Sequence, residues 1–130
     1  MEFDEYIEKY EAQKKIDKLA RRYKNKRIVL YGAGQFANAI FQNCDLSKLN
    51  IIAISDRKFD EEENRNFYNL NCIPPKEIGN IDCDVILISN FDYGRFLTLL
   101  DDHLLYGTKN ASIEVRPLIR LGFRDLFLRK

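Results

Sequence analysis

Arg27-Ile28-Val29-Leu30-Tyr31-Gly32-Ala33-Gly34-Gln35-Phe36-Ala37 is the stretch that decides the fold. An apolar, β-branched run enters G-x-G-x-x-A, a helix-compatible segment follows, and a second apolar run, Ile51-Ile52-Ala53-Ile54-Ser55, ends in Asp56. That order is a β-α-β dinucleotide-binding fingerprint. Gly32 permits the tight strand-to-helix turn, and Gly34, lacking a Cβ, lets a pyrophosphate come close to the backbone. Ala37 is small enough for the helix to pack closely on the strand. The free N–H groups at the helix start, with the positive end of its dipole, suit phosphate, so the loop Gly32, Ala33, Gly34, Gln35 and Phe36 is the candidate binding segment. Asp56 follows Gly34 by 22 residues, close to the roughly 20 expected of a carboxylate that accepts hydrogen bonds from ribose hydroxyls. An acid at a strand end also suits a cap on the following turn, and the two readings stand side by side.

Outward from this core the pattern alternates. Before it, Phe3, Tyr6, Ile7, Tyr10, Ile16, Leu19, Ala20 and Tyr23 recur at helical spacing, which predicts one amphipathic helix over residues 3–24. After Asp56, residues 57–66 are charged and aperiodic and predict an exposed loop. Residues 67–73 predict a short extended segment closed by Pro74-Pro75, and Lys76-Glu77-Ile78 a helical turn. Asp84-Val85-Ile86-Leu87-Ile88-Ser89-Asn90 predicts a central strand buried on both faces. Residues 91–106 predict a helix with Phe91, Phe96, Leu97, Leu100 and Leu104 inward, residues 111–115 a further strand, and residues 123–128 a terminal helix. The sum is an α/β, Rossmann-like domain over residues 26–130, with a mainly parallel sheet flanked by helices and an extra N-terminal helix over residues 1–25. Ser89 and Asn90 end the central strand, where open α/β sheets bind ligands, and join the candidate site. Arg57 and Lys58, directly after the acid, suit a 2′-phosphate or the phosphate of a nucleotide sugar, or else a solvated loop.

A chain of 130 residues supports one core but no separate substrate domain. With 21 Lys and Arg against 20 Asp and Glu, no global field draws nucleic acid or anionic membrane. Nine Phe and seven Tyr belong to an ordered globular protein. The acidic start, Met1-Glu2-Phe3-Asp4-Glu5, is unlike a secretory signal, and no apolar run approaches the ~20 residues of a membrane span. Cys44, Cys72 and Cys83 form no ligand pattern, so reduced thiols, a cytoplasmic location and no metal are expected. His103, the single histidine, reads as a surface residue late in a helix.

The run Arg27 to Asn38, the acid at Asp56, Cys72-Ile73-Pro74 and Asp84 to Ser89 together resemble the N-terminal nucleotide-binding domain of sialic-acid-type sugar O-acyltransferases. Related domains of capsule-associated nucleotide-sugar epimerases and dehydratases look similar. The resemblance implies a bacterial nucleotide-binding domain acting in surface-polysaccharide or sugar-modification metabolism, with NAD as ligand and NADP or a nucleotide sugar as alternatives. A carboxylate at Asp56 repels a 2′-phosphate, which puts NAD first. Hexapeptide repeats of the acyltransferases are missing here. The Tyr-x-x-x-Lys pair of the epimerases occurs only as Tyr10 and Lys14, ahead of the fingerprint. A stand-alone binding module working with a partner enzyme of the pathway is therefore expected. An NAD-dependent oxidoreductase or epimerase completed by another subunit, and an interaction domain without ligand, are the alternatives. A homodimer using the N-terminal helix, with Phe3, Ile7, Tyr10 and Leu19, completes the expectation.

Overall fold

A computed structural model describes residues 3–61 and 65–120. Its centre is a five-stranded, all-parallel sheet in the order β3-β2-β1-β4-β5. The strands are β1 (Ile28–Tyr31), β2 (Ile51–Ser55), β3 (Cys72–Ile73), β4 (Val85–Ile88) and β5 (Glu114–Pro117). Every residue of β1 and β4 is buried, which is why both read as unbroken apolar runs. Strand order reverses between β1 and β4, so the chain leaves those two neighbours in opposite directions. This is the doubly wound α/β arrangement the sequence predicts.

Helix α3 (Gln35–Asn43) crosses from β1 to β2 on one face, as expected. Ile28, Leu30, Ile54, Val85 and Leu87 pack on that face with Phe36, Ala37 and Ile40. Val29, Tyr31, Ala53, Ile86 and Ile88 form the opposite face and pack with Leu100 and Leu105.

Five elements depart from the sequence reading. The N-terminal helix is two helices, α1 (Phe3–Lys9) and α2 (Ala12–Arg22), broken where Glu11 takes a left-handed φ of 53°. The break lets both segments bury their apolar sides in the α3 face: Tyr6, Ile7, Ala12 and Ile16 are buried there, and Phe3, Tyr10 and Leu19 pack against them. The residues assigned to a dimer contact thus cover the domain's own sheet.

Residues 67–73 pair with β2 only at Cys72–Ile73, because Tyr68 and Asn69 turn through positive φ. The predicted helix over 91–106 is α4 (Tyr93–Leu99) followed by one π-turn (Leu100–Leu104), closed by the Leu105 N–H donating to the Leu100 carbonyl at 2.8 Å. Phe91 lies before it and joins the other face, where its ring meets Phe3, Tyr6 and Phe36. The last strand starts at Glu114 rather than Ala111, because Asn110 holds the preceding turn through its Nδ2, donating to the Ile78 and Ile81 carbonyls at 2.9 Å. Pro117 is tolerated in β5 because that strand is at the sheet edge. The predicted loop after Asp56 opens as a 3-10 turn (Arg57–Asp60) with Phe59 fully buried. The predicted terminal helix over 123–128 lies outside the described residues. Among those residues, no helix is long and apolar enough to cross a membrane.

Candidate functional site

The loop between β1 and α3 is held from three sides. Gly32 has φ +120°, and its N–H donates to the Ser55 carbonyl at 2.8 Å. Ser89 Oγ donates to the Gly32 carbonyl at 2.6 Å, and Asn90 Nδ2 to the Tyr31 carbonyl at 3.3 Å. A Cβ on Gly32 would come within 2.5 Å of Asn90 Nδ2, so the glycine is needed for both its φ and its missing side chain. Ser89 and Asn90, predicted as ligand-edge residues, therefore act first on the loop itself.

Asp56 does the same from β2. Its Oδ2 accepts from the Ala33 N–H at 2.7 Å, and its Oδ1 from the Lys58 N–H at 3.0 Å. Lys58 Nζ reaches back to the Ala33 carbonyl at 2.6 Å. The acid thus caps the Arg57–Asp60 turn and also clamps the glycine loop. Both oxygens face backbone N–H groups, each retaining room for a further donor.

Gly34 is the N-cap of α3, is exposed, and would place a Cβ with nothing within 4 Å. No side chain caps the helix. Its first-turn N–H groups, which have no intrahelical acceptors, begin beside that open space. Gln35 is exposed next to it. Phe36 is different: its side chain is buried, with ring centroids 5.2 Å from Phe3 and 5.4 Å from Phe91, so only its backbone belongs to the site.

A cavity of about 500 Å³ opens at the carboxyl ends of β1, β2 and β4, lined by Tyr31, Asp56, Arg57, Asn90, Arg95, Phe96, Thr98, Leu99 and His103. It adjoins the glycine loop, because Asn90 and Asp56 belong to both. Tyr31 is 4% exposed, and its ring lies 5.8 Å from that of Phe96. Burial, reinforced by the charges of Asp56 and Asp60, pushes the Tyr31 hydroxyl above its ordinary value, while Arg57 opposes the shift. The hydroxyl is thus a neutral donor. Ser55 lies in register with Tyr31 on the same sheet face, and its fully buried Oγ is without a hydrogen-bond partner among the described residues. A second cavity of about 580 Å³ lies between α2 and the end of β5, away from the glycine loop.

The structure brings together Gly32, Ala33, Gly34, Gln35, Asp56, Arg57, Ser89 and Asn90. Tyr31, Arg95, Phe96, Thr98, Leu99 and His103 were not predicted there, and Lys58, expected beside Arg57 toward a phosphate, holds the Ala33 carbonyl. Arg95, Thr98, Leu99 and His103 follow helical spacing, but sequence alone does not say that this side of α4 looks over the strand ends. His103 stands in the π-turn, is exposed, and lines the cavity wall.

Neither the curated proteins nor the solved structures contain a match to this chain. Residues 24–95, from the residue before Asn25 through β1, the glycine loop and β4 to Arg95 in α4, match the family described as C2185-like, N-terminal. Because the match spans more than half the chain and takes in every predicted site residue, the protein belongs to the C2185-like, N-terminal family.

Proposed function

We propose that this domain binds an adenine dinucleotide, with the pyrophosphate on the first turn of α3 and the adenosine in the adjoining cavity. One observation carries the reading: an uncapped helix N-terminus, open at Gly34, adjoins a 500 Å³ cavity where the strand order of a parallel sheet reverses. Open α/β sheets bind nucleotides at that point. The N–H groups of the first turn and the helix dipole supply the charge complement for a pyrophosphate. Phe96, Leu99 and the Tyr31 ring offer an apolar slot for a base, and the Tyr31 hydroxyl and Ser55 Oγ are polar groups on the same face. The reading extends to bacterial sugar-modification chemistry in the cytoplasm through the sequence resemblance, with a nucleotide sugar as the competing ligand.

Titration calorimetry of the whole chain against NAD, NADP, coenzyme A and a UDP-hexose tests this. An adenine dinucleotide binds, and Gly34→Val weakens it at least tenfold, because the new side chain enters the phosphate space while the helix stays folded. Tighter binding of the UDP-hexose moves the assignment to nucleotide sugars. No binding of any of the four at millimolar concentration overturns it.

A further inference from the structure

We infer that the adenosine pocket selects a ribose bearing an additional phosphomonoester, recognised by Arg57, Arg95 and His103. This rests on the nucleotide reading above and refines it. Three side chains able to carry positive charge line one cavity from three separate elements: the turn after β2, the first turn of α4 and the π-turn. The cavity has a single lining carboxylate, Asp56, and Asp60 is the other acid whose charge reaches Tyr31.

The geometry of Asp56 decides the sign. A carboxylate that accepts from the ribose hydroxyls excludes a 2′-phosphate, and the expectation of NAD rests on that exclusion. Here the Ala33 and Lys58 N–H groups hold both oxygens, and Lys58 stands beside the same loop with its Nζ on the Ala33 carbonyl. With its oxygens already occupied by backbone donors, Asp56 is not reserved for ribose hydroxyls, and its single charge is outnumbered in the cavity lining by Arg57, Arg95 and His103. Arg57 follows Asp56 directly, at the position from which a guanidinium meets a ribose phosphate. Its planar fork suits two phosphate oxygens at once. Arg95 and His103 line the same cavity from α4 and the π-turn.

None of these three makes an ion pair among the described residues. They are therefore available to a phosphate without first leaving a carboxylate, although the Arg95 guanidinium lies 5.6 Å from the Phe96 ring centroid. A 2′-phosphate as in NADP and a 3′-phosphate as in coenzyme A present the same chemistry.

Calorimetry with matched small ligands tests the inference: 5′-AMP, adenosine 2′,5′-bisphosphate and adenosine 3′,5′-bisphosphate, followed by NAD and NADP. At least one bisphosphate binds tenfold or more tightly than 5′-AMP, and which one distinguishes the two sources. Arg57→Ala, Arg95→Ala and His103→Ala each reduce that ratio toward 1. Far-ultraviolet circular dichroism confirms that the variants remain folded. Equal binding of 5′-AMP and both bisphosphates overturns this inference and leaves the nucleotide reading standing. A preserved ratio in the double variant Arg57→Ala/Arg95→Ala overturns the residue assignment. No binding of any of these ligands overturns both readings.

Discussion

Gly32 and Gly34 look equivalent in the motif and are not equivalent in the fold. Gly32 sits at φ +120° with Asn90 packed over it. The Asn90 amide end can swing away, but the backbone strain of a side chain at that φ cannot, so Gly32→Ala should cost about 1–3 kcal/mol. Gly34 has φ −94° and open space where a Cβ would stand. Gly34→Val should lower stability by only about 1 kcal/mol, the difference between a good and a poor N-cap. Urea denaturation of the two variants separates a conformational glycine from one kept clear for a ligand, and equal losses would contradict the assignment. Asp56 gives the second contrast at this scale. Removing its carboxylate leaves the Ala33 and Lys58 N–H groups without their acceptors. Asp56→Ala should therefore destabilise the free protein by about 1–3 kcal/mol. A residue serving only a ribose would leave the unliganded denaturation midpoint unchanged.

At the scale of elements, Phe36 joins α3 to α1 and to the segment after β4, with ring centroids 5.2 Å from Phe3, 5.8 Å from Tyr6 and 5.4 Å from Phe91. Phe36→Ala should cost about 3–5 kcal/mol, measured as a shift in the urea midpoint, because three elements lose a common contact. Deleting residues 1–24 should go further. It uncovers one face of β1 and β4, and the truncated chain should bind a hydrophobic dye and aggregate. A truncated chain that melts cooperatively near the parent temperature would show α1 and α2 to be accessory. The sheet itself was legible because β1, β2 and β4 are apolar runs that read as strands whichever helices cover them. The break at Glu11 has a trace in the sequence too. The stripe Phe3, Tyr6, Ile7, Tyr10 slips phase before Ala12, Ile16, Leu19, Tyr23, as two helices require. What the pattern could not carry is tertiary. Neither the π-turn that places His103 nor the clamp of Asp56 on Ala33 has a local signature, since both depend on where α4 and β2 lie in the assembled sheet.

For the whole molecule, pH reports how the sheet is secured at its ends. Asp84, before β4, accepts from the Arg27 backbone N–H at 2.7 Å and pairs with the Arg27 guanidinium at 3.2 Å, tying the amino ends of β1 and β4 together. The side-chain hydrogen bond from Arg27 is the main cause that holds its carboxyl below the ordinary value, as hydrogen bonds from Ser47 do for Asp45. A folded-state pKa that is depressed contributes stability above the unfolded value and loses it as pH falls through the folded one. The acid limb should therefore begin below about pH 4, the ordinary aspartate range. At the other end, burial pushes the Cys83 thiol up to about 11 and raises the Tyr31 hydroxyl as well. For an acid held neutral by burial the sign reverses. Its contribution is intact below the unfolded value and disappears as pH rises toward the folded one, because only the unfolded chain ionises in between. Urea midpoints measured across pH should show a plateau from about 5 to 8, bounded by these two limbs. Asp84→Asn should flatten the acid limb and, because the charge of Asp84 also raises the Cys83 thiol, shorten the alkaline one. Cys83→Ala should flatten the alkaline limb and leave the acid one, and the parent's Cys83 should react slowly with iodoacetamide at pH 8, where a half-buried thiol with a raised pKa supplies little thiolate. An alkaline limb that persists unchanged in Cys83→Ala would shift the assignment to Tyr31, and with it to the floor of the proposed adenosine pocket.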